Sequence, residues 1–145
     1  MDLVAQLFRG VTDKAGEPYF THCLRVLNLL PEGVSQEERH AALLHDVFED
    51  TDFPPSDLLA RGYSEKVVEL VTVLTKHPAE SYAAYISRVA GSPAERIKRA
   101  DLTDNSDPER LAALPELVRS RLEQKYQHAL SILNFVRDHP VVHAN

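Results

Sequence analysis

Apolar residues recur at intervals of three and four along most of the chain, which is the spacing of helices that bury one face. Phe20, Leu24 and Leu27 follow this spacing in residues 18–30, and the same interval returns in residues 64–74. Strict alternation of apolar and polar residues, which would indicate strands, is not sustained. No Asn-Gly or Asp-Gly turn joins two apolar runs. The pattern predicts an all-α fold.

Capping residues, prolines and glycines mark the ends of the predicted helices. For example, Ser35 stands three residues before Glu38, which is a capping-box pattern. The predicted helices are residues 18–30, residues 35 to about 50, a short segment that Ser56 or Asp57 caps and Gly62 closes, a segment that Ser64 caps and that stops before Pro78, residues 81–90, a segment beginning at Pro93, a segment that Asp107 and Pro108 open, and residues 115–137. We therefore expect about eight or nine helices in one helical-bundle domain, residues 1–145, with a frayed tail from about residue 138.

The composition bears on the cellular setting of the chain. Cys23 is the one cysteine among 145 residues, which excludes a disulfide scaffold and a zinc site made only of cysteines. No segment approaches the ~20 apolar residues of a membrane span, and the N-terminus lacks the features of a secretory signal. We expect a cytoplasmic protein with no membrane partner.

The net charge of −6 restricts the partners. Without a basic cluster the chain is poorly suited to neutralise the phosphates of a nucleic-acid polymer, and we expect no such partner. A small phosphorylated ligand is still compatible with this charge, because a bound metal supplies positive charge locally.

The most informative stretch, residues 40–51, reads HAALLHDVFEDT. On a continuous helix His45 would lie near Glu49, and Asp46 would lie near Asp50, because residues four apart share a face. The carboxylates would repel one another unless a cation or solvent separated them. A solvated helix end is the plain alternative, although the helix dipole disfavours acids at a C-terminus by roughly 0.3–1 kcal/mol each.

Further metal-binding side chains occur on other predicted helices. His22 by itself is more typical of a core or rim histidine, and Asp101 by itself is typical of a solvated acid. Together with His45 and Asp46 they offer two imidazole nitrogens and two carboxylate oxygens without a thiolate. This set suits Mn, Fe or Zn and leaves positions for water.

The order of these motifs resembles a known family. A His follows Pro-Tyr, then His-Asp precedes Glu-Asp, and Lys-x-Ala-Asp-x-x-x-Asn occupies residues 98–105. From about residue 3 to residue 136, the chain resembles the HD-domain phosphohydrolases, specifically the RelA/SpoT-type alarmone hydrolases and their small single-domain forms. The resemblance implies a divalent metal, usually Mn, and release of pyrophosphate from a guanosine nucleotide that carries a 3′-pyrophosphate.

The resemblance also implies roles for individual residues. The matching positions are His22, His45, Asp46 and Asp101 for the metal ligands, Glu49 and Asp50 for the catalytic acidic pair, and Lys14 and Asn105 for contacts with the nucleotide. A divalent metal lowers the pKa of bound water from 15.7 toward ~7, and one of the two acids would orient that water and accept its proton.

Two acids depart from the family pattern on the nucleotide side. Asp13 and Asp107 stand where the family often has basic residues. Three alternatives to the alarmone hydrolase stay open: an HD phosphohydrolase for a different nucleotide or phosphate ester, a helical module that binds a nucleotide or metal without catalysis, and a purely structural helical protein. The oligomeric state is also open.

Overall fold

The computed structural model describes residues 2–140 and confirms an all-α fold for them, with one isolated β-bridge between Thr12 and Pro18. The frayed tail expected from about residue 138 lies largely outside the described residues. The helices in the described part of the chain are α1 (Asp2–Leu7), α2 (Tyr19–Leu29), α3 (Gln36–Leu44), α4 (Val47–Asp50), α5 (Pro55–Ala60), α6 (Glu65–Val73), α7 (Tyr82–Val89), α8 (Glu95–Asn105), α9 (Pro108–Ala112) and α10 (Glu116–Asp138).

Local capping signals placed several helix starts correctly. The side chains of Ser35, Ser64, Ser81 and Asp107 each accept a backbone N–H in the first turn of α3, α6, α7 and α9. Such signals are reliable because donor and acceptor lie within three residues of each other. The predicted caps of α5 were wrong: Pro54 precedes α5, and Pro55 occupies its first turn.

The predicted helix over residues 35–50 is broken in two. α3 ends at Leu44, and Asp46 has φ −104° and ψ 5° before α4 begins. His45 Nδ1 donates to the Ala42 carbonyl at 2.7 Å, which is the acceptor that the Asp46 N–H would use in a continuing helix. The expected stacking of His45 on Glu49 along one helix is therefore wrong.

The main packing of the molecule brings α2, α3 and α8 together. α2 packs against α3 and α8, α3 also packs against α6, and α10 covers α7 and α8. The core between these helices is mostly aliphatic, but α8 also buries three charged residues, Lys98, Asp101 and Asp104. Because buried charges are costly without partners, this helix marks the part of the fold where polar contacts are concentrated.

None of the helices in residues 2–140 combines the length and the apolar character that crossing a membrane requires.

Cys23 is expected to be chemically inert. Its side chain is fully buried, and burial together with the nearby Asp101 carboxylate raises the pKa of the thiol to about 12. Because the thiolate is the nucleophile, iodoacetamide at mildly alkaline pH should label the unfolded chain and leave the native protein unlabelled, as followed by mass spectrometry. Rapid labelling of the native protein would contradict this assignment.

Candidate metal centre and adjoining cleft

Three side chains from three helical segments converge at one point in the core. His22 comes from α2, His45 follows the last residue of α3, and Asp101 comes from α8. His22 Nε2 lies 3.4 Å from His45 Nε2 and 3.0 Å from Asp101 Oδ1, and His45 Nε2 lies 3.3 Å from the same oxygen. All three residues are at most 4% exposed. These atoms form a group that can hold a metal ion.

The outer nitrogens of the two imidazoles are already used. His45 Nδ1 donates to the Ala42 carbonyl, and His22 Nδ1 donates to Asp104 Oδ2 at 2.6 Å. In the neutral ring each Nε2 then carries a lone pair, and both lone pairs face the Asp101 carboxylate. Two nitrogen lone pairs and a carboxylate oxygen directed at one point fit a cation, so the residues present suit a divalent metal.

Hydrogen bonds and neighbouring charges shift the pKa values of His22 and Asp101 in this cluster. Burial disfavours the charged form of His22, but hydrogen bonds to Asp101 and Asp104 outweigh it, and the pKa of His22 is raised. Burial likewise opposes ionisation of Asp101, yet the Lys98 ammonium at 2.8 Å and the two histidines hold its pKa well below the ordinary value. A cation at the centre would take the place of the proton on His22.

Asp46 adjoins the cluster without belonging to the three-residue group. Its Oδ2 lies 3.1 Å from His45 Nε2 and accepts a hydrogen bond from the Tyr19 hydroxyl. Burial, followed by the nearby carboxylates of Asp101 and Asp50, raises the pKa of Asp46 well above its ordinary value. A cation between these carboxylates would relieve that repulsion.

Glu49 and Asp50 are the last two residues of α4. The backbone N–H of Lys76 donates to Glu49 Oε2 at 3.3 Å, which ties Glu49 to the segment between α6 and α7. Burial and then the neighbouring Glu49 raise the pKa of Asp50. The two acids therefore differ, since Glu49 contacts backbone and Asp50 faces a cleft.

That cleft has a volume of about 300 Å³ and contains both predicted substrate-contacting residues. Lys14 and Asn105 line it together with Asp50. The Asn105 amide donates to Asp101 Oδ1 at 3.1 Å, so a residue of the cleft contacts a carboxylate of the His22–His45–Asp101 group. The rest of the lining is partly apolar and comprises Val11, Thr12, Asp13, Ala15, Tyr19, Arg110, Leu111, Leu114, Leu122 and Tyr126.

The two acids that depart from the family pattern are held in structural contacts. Asp13 Oδ1 accepts the N–H groups of Ala15 and Glu17, and its Oδ2 accepts from Arg110 at 2.6 Å. Asp107 caps α9 and lines a different cavity. The charge of Asp13 is therefore paired with an arginine, and Asp107 lies outside the lining of the cleft.

Asp104 is the functional candidate that the sequence reasoning missed. It is 4% exposed and contacts His22, Arg25 and Arg110, which come from two other helices. Burial is outweighed by these partners, and the pKa of Asp104 is lowered. The sequence offers one signal for Asp104, which is its position one turn after Asp101 on the same helix. That signal was not sufficient, because two of its three partners, His22 and Arg25, are remote in the sequence.

The fold and the site define an all-helical protein with a buried histidine–aspartate cluster beside a cleft. A family model described as HD domain matches residues 1–105, and the chain belongs to the HD domain family. This confirms the family expected from the motifs.

Similar proteins include a guanosine-3′,5′-bis(diphosphate) 3′-pyrophosphohydrolase of Aquifex aeolicus, 38% identical over 65% of this chain and 14% of that protein. A GTP pyrophosphokinase of Streptomyces coelicolor is 33% identical over 86% of this chain and 15% of that protein. The chain thus spans about a seventh of the length of these curated relatives.

A solved structure of a metazoan ortholog of SpoT, described as hydrolysing ppGpp, matches with a TM-score of 0.71 at 24% identity. The match covers 97% of this chain and 93% of that chain. It shows that the two chains share a fold over nearly their full lengths.

Proposed function

We propose that this chain is a metal-dependent phosphohydrolase that releases pyrophosphate from guanosine nucleotides bearing a 3′-pyrophosphate. The observation that carries the proposal is the meeting of the His22, His45 and Asp101 donor atoms beside a cleft lined by Lys14, Asp50 and Asn105. The activity named for the relative from Aquifex aeolicus supports the substrate class.

In this proposal His22, His45 and Asp101 hold the metal, and Asp46 supplies a fourth ligand. The ion is Mn, although Fe or Zn would suit the same nitrogen and oxygen donors. When bound, the metal supplies positive charge against the phosphate and makes water more acidic. Tyr19 contributes by donating its hydroxyl hydrogen bond to Asp46, which orients that carboxylate.

Asp50 is the proposed general base. It lines the cleft, and its raised pKa brings its proton affinity closer to neutral pH, where a base accepts a proton from water more effectively. Glu49, held by the Lys76 backbone N–H, keeps a second negative charge beside Asp50 and contributes to that raised pKa. In this proposal Asp50 is the base, and Glu49 helps to raise the pKa of Asp50.

The cleft supplies the substrate contacts. Lys14 is exposed and offers an ammonium group to a phosphate. Asn105 lines the cleft, and its amide nitrogen donates to Asp101. Leu111, Leu122 and Tyr126 offer an apolar wall for the base. Burial raises the pKa of Tyr126 to about 12, so its hydroxyl stays protonated and can donate a hydrogen bond.

The proposal is tested by incubating the purified, Mn-loaded chain with a nucleotide panel and measuring pyrophosphate and phosphate by ion chromatography. The panel contains guanosine 3′-pyrophosphates, the matching 5′-nucleotides without a 3′ group, and dinucleotide phosphates. We expect pyrophosphate from the 3′-pyrophosphates alone. Turnover of another member would reassign the substrate, and binding without any product would favour a non-catalytic module.

Replacing Lys14 with alanine should weaken substrate binding more than turnover. Loss of one charge-assisted phosphate contact, about 1.5–3 kcal/mol, corresponds to roughly a 10- to 100-fold rise in KM. Steady-state kinetics measure this, with Lys66→Ala as the control, because Lys66 is also an exposed lysine but lies outside the cleft. An unchanged KM would remove Lys14 from the proposed substrate site.

A further inference from the structure

Asp104 connects the candidate metal centre with a network of arginines. Its Oδ2 accepts from His22 Nδ1 at 2.6 Å and from Arg110 Nη1 at 2.7 Å, and its Oδ1 accepts from Arg25 Nε at 2.7 Å. Arg110 also donates to the Asp104 main-chain carbonyl at 3.0 Å. Both carboxylate oxygens are therefore engaged, and the side chain has little freedom to rotate.

This arrangement determines which nitrogen of His22 can bind a cation. A carboxylate only accepts hydrogen bonds, so His22 Nδ1 must carry a hydrogen. In the neutral ring the lone pair is then on Nε2, the atom that faces His45 and Asp101. Carboxylates that accept from the outer nitrogen of a metal-binding histidine fix the ring orientation and increase its strength as a ligand.

The same network continues to the loop that carries Lys14. Arg110 uses its second terminal nitrogen to donate to Asp13 Oδ2 at 2.6 Å. Asp13 Oδ1 in turn accepts the N–H groups of Ala15 and Glu17, which shapes the loop on either side of Gly16. Gly16 has φ +86°, a backbone conformation that glycine adopts without strain.

We propose that Asp104 is a positioning residue with two connected roles. It orients His22 Nε2 toward a divalent cation, and through Arg110 and Asp13 it holds the Lys14 loop at a fixed place relative to that cation. The inference rests on the proposed function, since it concerns the same site, but its first test measures metal binding and needs no substrate.

The test compares Mn²⁺ dissociation constants of the metal-free protein by competition with a fluorescent chelator. Asp104→Asn keeps an oxygen for His22 but sets an amide N–H group against an arginine, and Asp104→Ala removes the acceptor altogether. We expect roughly 10- to 100-fold weaker binding, with alanine weaker than asparagine. Glu38→Gln is the matched control, because Glu38 is a mostly buried carboxylate paired with Arg96 at 2.7 Å, away from the cluster.

Folding is checked through the thermal unfolding and circular dichroism of each metal-free variant. Arg25→Gln provides a second route if the Asp104 variants fail to fold, because Arg25 is 31% exposed and its loss removes only one support of Asp104. That variant should bind Mn²⁺ more weakly than wild type. Wild-type affinity in a folded Asp104→Asn or Arg25→Gln variant would overturn the proposal.

The link to the Lys14 loop has its own readout. Asp13→Asn keeps an acceptor for Ala15 and Glu17 but loses the charge opposite Arg110. We expect an increased KM with an unchanged Mn²⁺ affinity, and an unchanged KM would overturn this link. Metal binding by the wild-type chain without pyrophosphate release would refute the proposed function and leave the role of Asp104 toward His22 standing, whereas a wild-type chain that binds no metal would refute both.

Discussion

Replacing His45 with glutamine is expected to abolish both metal binding and hydrolysis. His45 Nε2 lies within 3.4 Å of a nitrogen of His22 and an oxygen of Asp101, so its loss removes one of three converging donors. The Mn²⁺ dissociation constant should rise by more than about 100-fold, beyond the 10- to 100-fold loss typical of residues that only support a ligand. Chelator competition and pyrophosphate release measure the two effects on the same preparation.

His40→Gln is the control for this variant. It makes the same change five residues earlier in the chain, at a residue that packs edge-on against Tyr63 and lies outside the cluster. It should bind Mn²⁺ and release pyrophosphate like the wild-type chain. Retention of tight metal binding by folded His45→Gln would show that the cluster is not the metal site.

Replacing Asp50 with asparagine is expected to separate catalysis from metal binding. Asp50 lines the cleft but is not one of the three converging donors, so the Mn²⁺ affinity should change little. Loss of a general base lowers kcat by about 10²- to 10⁴-fold. Single-turnover and steady-state measurements at saturating metal would record this loss.

Asp52→Asn is the matched control, because Asp52 is an exposed acid two residues further on and outside the cleft. Its kcat should equal that of the wild-type chain. If Asp50→Asn kept full activity, the proton would have to be accepted elsewhere, and Glu49→Gln would become the decisive variant.

The helices were predictable where the signal is local. Ser64, Ser81 and Asp107 cap their helices through contacts that span two or three residues, and the sequence shows both partners at once. The break after Leu44 was not predictable in the same way, because it accompanies contacts of the His45 ring with His22 on α2 and Asp101 on α8, which are remote in the sequence. The sequence alone therefore favoured a continuous helix, because His45 and Glu49 are four residues apart and so are Asp46 and Asp50.

The site was predictable to the extent that its residue types are distinctive. His22, His45 and Asp101 were predicted as metal ligands from side-chain chemistry and motif order, and the structure places their donor atoms within 4.8 Å of one another. Asp104 was not identified, because an acid one turn beyond another acid is also typical of a solvated helix face. What distinguishes Asp104 from a solvated acid is its contact with His22, which lies 82 residues earlier in the chain.

The structure changes the interpretation of the acidic residue Asp13. From the sequence alone, Asp13 is interpreted as an unfavourable negative charge near a nucleotide. In the fold it is paired with Arg110, which is 97 residues away in the chain. Arg110 also contacts Asp104, which is paired with Arg25 as well, so two guanidinium groups face these two carboxylates. Lys14 lines the cleft beside an acid that is paired with Arg110, so Asp13 counts less against the family's nucleotide than it does in the sequence alone.

The proposed function is tested most directly by titrating the metal-free protein with Mn²⁺ while pyrophosphate release from a guanosine 3′-pyrophosphate is followed. If the histidine–aspartate cluster and the cleft form one hydrolytic centre, activity should be absent without metal and should rise in parallel with the occupancy of a single ion per chain. Full occupancy without pyrophosphate release, or equal release before any metal is added, would contradict it.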